Sequence, residues 1–284
     1  MRYYHVDVFA YEPMTGNGLT VVFPDEQLDP ALMLKITREF KQFETIFVFP
    51  ELSGVYPVRI FTVEEELEFA GHPMLGAAAV IHSVYTERDM TADILLDTDG
   101  RIIMLKSVKT EAGFTVTMNQ GQADFICSLN SDDYLEILQA SNLKPEDLHP
   151  DYPVEVVSTG LPYMLLPVIN AIDKIRICRP DFEVLLAVFG AKFAYFFDPE
   201  TLECRTWDNL GVVEDVATGS AAGPLCAYLV KHGFDSADED IEIRQGRFIG
   251  RASSITGEVN GQTNDVSISG GVTFFSEGEI SVLE

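Results

Sequence analysis

Residues 70–81 read AGHPMLGAAAVI, and residues 218–229 read TGSAAGPLCAYL. Aligned without gaps, Gly71 meets Gly219, His72 meets Ser220, Ala78 meets Cys226 and Ala79 meets Ala227. Each stretch is small and apolar on nearly every side, so as a helix it has no solvent face and must be buried. Gly76 and Ala77 to Ala79 let strands approach closely all round. A strand-rich unit meets that demand by curling its sheet around the helix. The two stretches lie 148 positions apart, about half the chain, which predicts two copies of one β-rich unit with one buried helix each. The end signals agree: Pro73 suits the first helical position, where its missing N–H costs nothing, and Lys231 and His232 in the last turn with Gly233 beyond form a helix stop.

Short alternating runs fill the rest of the sequence. YYHVDVFA, GLTVVFP, ETIFVFP, YPVRIFT, ADILLDT, RIIMLKSV and GFTVTM read as strands in the first 120 residues, separated by Gly, Pro, Asp and Asn. VEVVSTG, YMLLPVI, KFAYFF, IEIRQG and the segment from Gly257 onward repeat the pattern. Gly18-Leu19 and Gly160-Leu161, each at the start of an apolar strand, echo the repeat. Further helices are expected from Pro30, capped by Asp29, to about Phe40, near Asp132 to Ala140, and from Asp181 to Phe189 with Gly190 beyond its end.

The fold class expected is α/β (α+β): two pseudo-symmetric domains, each a curled sheet around a central helix. A length of 284 residues fits two domains at a soft prior of roughly 150 each. The expected boundaries are residues 1–119 and 120–284, with the C-terminal strands of 260–284 as candidates to return to the first domain.

Charge narrows the partners. With 45 Asp plus Glu against 19 Lys plus Arg, the formal net charge is −26, which repels phosphate backbones and anionic lipids. Nucleic acid and membrane surfaces are therefore not expected partners. No window reaches the roughly 18 continuous apolar residues of a membrane helix. The N-terminal segment lacks the apolar core of a signal peptide, so a cytoplasmic protein is expected. Cys127, Cys178, Cys204 and Cys226 show no CxxC or other metal spacing and read as thiols. Neither a metal nor a redox cofactor is expected.

A helix N-terminus offers unpaired N–H groups and about half a positive charge. Two such termini open on Gly71-His72 and Gly219-Ser220. If the repeats face each other, both termini point into one inter-domain cleft, where backbone amides hold a small carboxylate despite the acidic surface. Each residue also has a purely structural alternative. His72 and Ser220 can be N-caps, Asp215 can pair with a local backbone amide, and Asn17 in TGNGL can shape a turn or contact a substrate. Gln245-Gly246 and Gly250-Arg251 read as structural.

Five blocks together resemble a known family: DVFAYEPMTGNGLTVVF, ETIFVF, RIFTVEEELEFAGHPMLGAAAVI, EDVATGSAAGPLCAYLVKHG and QGRFIGRAS, in order across residues 7 to 253. They are similar to the phenazine-biosynthesis PhzF-like proteins, which share the fold of diaminopimelate epimerase. The resemblance implies two similar α/β domains with the active site between them, and a homodimer. Epimerases and racemases of this fold use two opposed cysteines, whose places fall at Ala70 and Thr218 here. Neither is a thiol, so two-cysteine proton transfer is excluded.

The PhzF-like proteins use a glutamate instead, and the matching residue is Glu44. A carboxyl inside an apolar strand is costly unless paired or protonated, and burial favours the neutral form, the direction neutral-pH acid/base work needs. His72 and Asp215 match the family's active-site histidine and aspartate, with substrate orientation and proton relay as implied roles. Ser220 matches the serine at the second helix start. Gly71, Gly219, Ser220 and Asn17 complete the expected substrate-binding set. Gly18, Val63, Glu68, Val216 and Ala252 stand where the family pattern carries proline, so the substrate of the phenazine enzyme does not transfer.

The resulting expectation is a cofactor-independent isomerase that moves a proton on a small carboxylate-bearing substrate. The alternatives are an epimerase or hydrolase acting on an amino-acid-like acid, or a non-catalytic small-anion binder.

Overall fold

The computed structural model describes residues 1–86 and 88–281, so residues 282–284 at the end of the expected second domain lie outside the described residues. The chain divides into two compact units, Met1–Asn119 with Ser269–Glu284, and Gln120–Ile268.

The first unit comprises β1 (Arg2–Val8), β2 (Asn17–Phe23), α1 (Pro30–Phe40), β3 (Glu44–Val48), β4 (Val55–Thr62), β5 (Glu66–Leu67), α2 (Gly71–Tyr85), β6 (Thr91–Thr98), β7 (Arg101–Lys109) and β8 (Phe114–Gln122). The second comprises β9 (Asp124–Ser128), α3 (Leu135–Ala140), β10 (Glu155–Ser158), β11 (Pro162–Pro167), α4 (Phe182–Ala187), β12 (Phe193–Phe197), β13 (Glu203–Arg205), α5 (Gly219–Lys231), β14 (Ile241–Gln245), β15 (Ser253–Val259) and β16 (Asp265–Glu279). Two strands carry residues of both units: β8 crosses the Asn119/Gln120 boundary and β16 crosses Ile268/Ser269.

In the first unit the hydrogen-bonded order is β1-β2-β3-β4-β6-β7-β8-β16, and β16 also pairs antiparallel with β1. The sheet therefore closes on itself, leaving no free edge along that ring. α2 runs inside it against β1, β2, β3, β6 and β7, with every residue from His72 to His82 buried. Gly76 helps a helix fit there: a Cβ at that position would lie 2.4 Å from Leu19 Cδ2 and 3.1 Å from Val8 Cγ2, so glycine leaves room for the strand side chains that pack on it. α1 covers the outer face of β3 and β4, packing Met33 and Ile36 on Val22, Phe47, Phe49 and Phe61. The predicted start of α1 holds, since Asp29 accepts a hydrogen bond from the Ala31 N–H at 2.8 Å.

The second unit repeats the plan. β2 and β3 are parallel across α1, and β11 and β12 are parallel across α4. β4 and β6 are parallel across α2, and β13 and β14 are parallel across α5. α5 packs on β10, β11 and β15, and is buried from Ala221 to Leu229. The repeat read from the two small-residue stretches is thus a repeat of topology. α5 ends as predicted, with Lys231 as its last residue and Gly233 in the left-handed region at φ 74°. α3 starts three residues later than expected, after a turn, and α4 ends two residues early, where Val188 and Phe189 pass into a turn. No described helix is long and apolar enough to cross a membrane.

Candidate active site

α2 starts at Gly71 with Ala70 as its N-cap, and α5 starts at Gly219 with Thr218 as its N-cap. His72 and Ser220 are therefore the second residues of their helices, within the first turn, and the N-cap alternative for both is removed. The two caps, Ala70 and Thr218, are the places that the resemblance sets against the paired thiols of racemases, and neither is a cysteine. Cys226 lies seven residues beyond Gly219, is buried, and its thiol is pushed up by loss of solvent, so it is a core residue.

Glu44 is the first residue of β3, in register with Leu19 of β2 and Thr62 of β4. Alternation along β3 turns Phe47 towards α1 and sets Glu44 on the opposite face with Ile46, against α2. There the Glu44 Oε2 stands 3.2 Å from His72 Nε2, with side-chain exposures of 17% and 9%. Two residues 28 positions apart in sequence thus meet in the first unit. Burial drives the His72 imidazole down from 6.5 to about 3. At neutral pH His72 is uncharged, and the pair is a carboxyl beside a neutral imidazole.

Gly71 has a negative-φ backbone, and a Cβ there would meet only Met118 Cε, at 3.7 Å. The fold itself does not require glycine at this position. A helix-start amide without a side chain in front of it is what an incoming anion needs.

Asn17 opens β2 opposite Val8 and is buried. The sequence placed a turn on Asn17-Gly18, but the left-handed residues are Met14 (φ 69°) and Gly16 (φ 62°). Gly16 is the obligate one, since a Cβ there would lie 2.4 Å from the Val8 carbonyl oxygen. The turn therefore ends one residue before Asn17, which is a strand residue.

In the second unit Asp215 does not stand alone. Its Oδ2 accepts from Thr218 Oγ1 at 2.5 Å, and its backbone N–H donates to the Thr206 carbonyl at 3.0 Å. Gln245 Nε2 donates to the Asp215 carbonyl and to Thr218 Oγ1, both at 2.9 Å. Gln245 Oε1 accepts from the Thr218 N–H at 3.1 Å and from Tyr195 OH at 2.9 Å. Ser220 Oγ bonds Tyr163 OH at 2.7 Å, and burial holds that phenol protonated. The Gly219 carbonyl accepts from Gln120 Nε2 at 3.1 Å. One residue back, Arg205 donates to both Glu214 oxygens at 2.7 Å and lies between the Trp207 and Phe248 rings, 4.4 and 4.2 Å from their centroids. Sequence reasoning singled out Asp215 and Ser220, read Gln245 as structural and Thr218 as a place without a thiol, and gave Tyr163 no part. Thr218 and Gln245 fall in the quoted blocks, whereas Tyr163 lies in the strand run YMLLPVI outside them.

Among the described residues no group of three or more His, Cys, Asp or Glu comes together as a metal site.

The sequence matches the phenazine biosynthesis-like protein family, PhzC-PhzF, over residues 6–278. A trans-2,3-dihydro-3-hydroxyanthranilate isomerase of Pseudomonas fluorescens is 32% identical, covering 98% of this chain and 99% of its own. A solved structure described as a predicted epimerase of Pseudomonas aeruginosa is 42% identical with a TM-score of 0.92, covering 99% of each chain. A hydroxyproline epimerase of Agrobacterium vitis, at 11% identity and a TM-score of 0.61 over 98% of this chain and 91% of its own, shares the fold. The chain belongs to the phenazine biosynthesis-like PhzF family of isomerases.

Proposed function

We propose that the protein is a PhzF-type isomerase in which Glu44 carries a proton between two carbons of a small unsaturated carboxylate. The carbon–hydrogen bond next to the activating group breaks, its electron pair enters the conjugated system, and the proton goes to the Glu44 carboxylate. The same carboxyl then returns the proton to a second carbon, and the double bond moves. Nothing is oxidised or reduced, and no co-reactant is consumed.

The observation that carries this reading is the Glu44–His72 pair at 3.2 Å, with its imidazole held neutral by burial. A neutral imidazole can donate to the carboxylate before transfer, or accept from the carboxylic acid after it, without creating a buried charge. From 3.2 Å it is placed to orient one carboxyl oxygen in both protonation states, although His72 Nε2 makes no hydrogen bond as the side chains stand. The open amide at Gly71 suits the substrate carboxylate, and electrostatic help of this kind is worth about 3 kcal/mol per donor in related chemistry. On this reading Asp215 and Ser220 serve as proton-handling and substrate-orienting groups of the second unit, as the family resemblance implies. The substrate class is a small acid whose acidified carbon–hydrogen bond lies beside a carboxylate or a diene.

The test is turnover in heavy water followed by proton NMR. Small unsaturated carboxylic and amino acids are supplied, including the trans-2,3-dihydro-3-hydroxyanthranilate that names the Pseudomonas fluorescens relative. The expected result is an isomer of one acid carrying solvent deuterium at the carbon that receives the proton. Binding of these acids, read by thermal shift, with no double-bond shift and no exchange would make the protein an anion binder and end the proposal.

A further inference from the structure

Tyr163 and Ser220 share one hydrogen bond, 2.7 Å between their hydroxyl oxygens, and their surroundings decide which of the two gives the proton. Tyr163 is the second residue of β11. Alternation along β11 turns Met164 and Leu166 into the cluster beneath α3 and α4, and leaves Tyr163 on the opposite face, towards α5. Only 3% of Tyr163 is exposed, and loss of solvent keeps its phenol protonated. Among the described residues Ser220 Oγ is the one hydrogen-bond partner of that phenol, and the phenol is the one partner of Ser220 Oγ. A buried O–H without an acceptor is costly. Ser220 is only partly buried, so its own hydrogen can go to water or to a ligand. Tyr163 is therefore the donor and Ser220 Oγ the acceptor.

The repeat shows what stands at the equivalent place in the first unit. β11 and β12 correspond to β2 and β3, and the register pairs Tyr163 with Phe193 as it pairs Leu19 with Glu44. In the ungapped alignment of the central helices Ser220 corresponds to His72. Where the first unit has Glu44 and His72, the second has Phe193 and Ser220, and its neighbouring strand supplies a phenol in place of Leu19. A carboxyl beside an imidazole can pass a proton either way. A phenol beside a serine keeps both of its protons at neutral pH.

We propose that Tyr163 is a positioning residue that, by donating to Ser220 Oγ, turns the Ser220 hydroxyl hydrogen outward, so that the ligand atom met by Ser220 is an acceptor, a carboxylate or carbonyl oxygen, and not an ammonium group. Its mechanistic value rests on the reading of Ser220 as a substrate-orienting group; the direction of the hydrogen bond does not.

Thermal melting of the full chain reads that direction without a ligand. Ser220→Ala strands a buried phenol proton and should lower the melting temperature by at least about 3 °C. Tyr163→Phe leaves a serine that water can satisfy and should lower it less. The double variant leaves no polar atom unpaired and should melt above Ser220→Ala. If the double variant instead melts lower, by the sum of the two single shifts, the direction is wrong. Should Ser220→Ala not fold alone, Ser220→Cys, whose thiol is a weak acceptor, is read in its place.

Binding of benzoate, followed by titration calorimetry, reads the consequence. Ser220→Ala should weaken it about tenfold and Tyr163→Phe about threefold, with no further loss when Tyr163→Phe is added to Ser220→Ala. Benzylamine, with donors in place of the acceptor, should bind no differently in either variant. Absence of benzoate binding in wild type, or the same weakening by Tyr163→Phe with and without Ser220, overturns the proposal. Neither arm uses turnover, so a protein that binds benzoate in this pattern but isomerises nothing would end the proposed function and leave this inference standing.

Discussion

The central helices α2 and α5 occupy the same place in a repeated topology, and both open on glycine, but their first turns are held in different ways. α2 has an alanine cap with no side-chain hydrogen bond, and the polar group beside it is the Glu44–His72 pair. α5 has a threonine cap tied to Asp215 and Gln245, with Ser220 tied to Tyr163 and the preceding loop gripped by Arg205 and Glu214. One terminus carries a carboxyl and a neutral imidazole, while the other carries a directed hydrogen-bond network. A duplicated fold supplies two equivalent positions, and on the proposed function the residues placed on them divide the work between moving a proton and holding geometry.

The difference should appear first in stability. Arg205→Ala leaves Glu214 buried without its cation and should cost about 3–5 kcal/mol in denaturant unfolding. The comparable bidentate pair of the first unit, Arg59 with Glu66, is far more exposed, with side-chain exposures of 28% and 39%. Arg59→Ala should cost no more than about 1 kcal/mol. Similar losses for the two variants would remove the contrast between a gripped and an open terminus.

A second effect should follow pH. The folded value of about 3 for His72 lies below its ordinary 6.5, so the unfolded chain binds the proton first as pH falls. The stability linked to this group is complete above about pH 6.5 and drains as pH falls towards 3, at up to roughly 1.4 kcal/mol per pH unit. His72→Gln should flatten the acid side of the stability profile by about one proton. An unchanged slope would show that His72 is not held neutral by burial.

How much of this was legible in the sequence follows from what each feature depends on. α1 was readable from Asp29 and Pro30, because caps are local. The two buried helices were readable from their composition, since a helix without a polar face has one destination. The meeting of Glu44 with His72 was reachable only through family resemblance, because it depends on where β3 starts relative to α2. Gln245 looked structural because an amide shows no chemistry until its partners are known, and its partners lie 27 and 30 residues away. The misplaced turn at Asn17 had a local cause: two glycines, Gly16 and Gly18, flank one asparagine, and only packing against the Val8 carbonyl selects Gly16.

Smaller effects sharpen the comparison. Gly71→Ala should fold with equal or slightly greater stability, because alanine suits a helix better by up to about 1 kcal/mol. Turnover should nevertheless fall at least about tenfold, if the open amide serves a substrate. Full activity in Gly71→Ala would return that glycine to a structural accident. Cys226→Ser should cost about 1–3 kcal/mol by burying a hydroxyl where the sulfur packs on Gly257, with turnover of the folded enzyme unchanged. Cys178→Ser, at an exposed site, should change neither stability nor activity.

The most direct measurement is the turnover of Glu44→Gln beside wild type, on the acid identified by heavy-water NMR and with folding checked by thermal melting. Glutamine keeps the length and hydrogen-bonding shape of the side chain but cannot accept and return a proton. The account predicts an unaltered melting profile with turnover and deuterium incorporation reduced by at least about 10²–10⁴-fold. Activity retained in folded Glu44→Gln would contradict it and place the proton-carrying group elsewhere in the molecule.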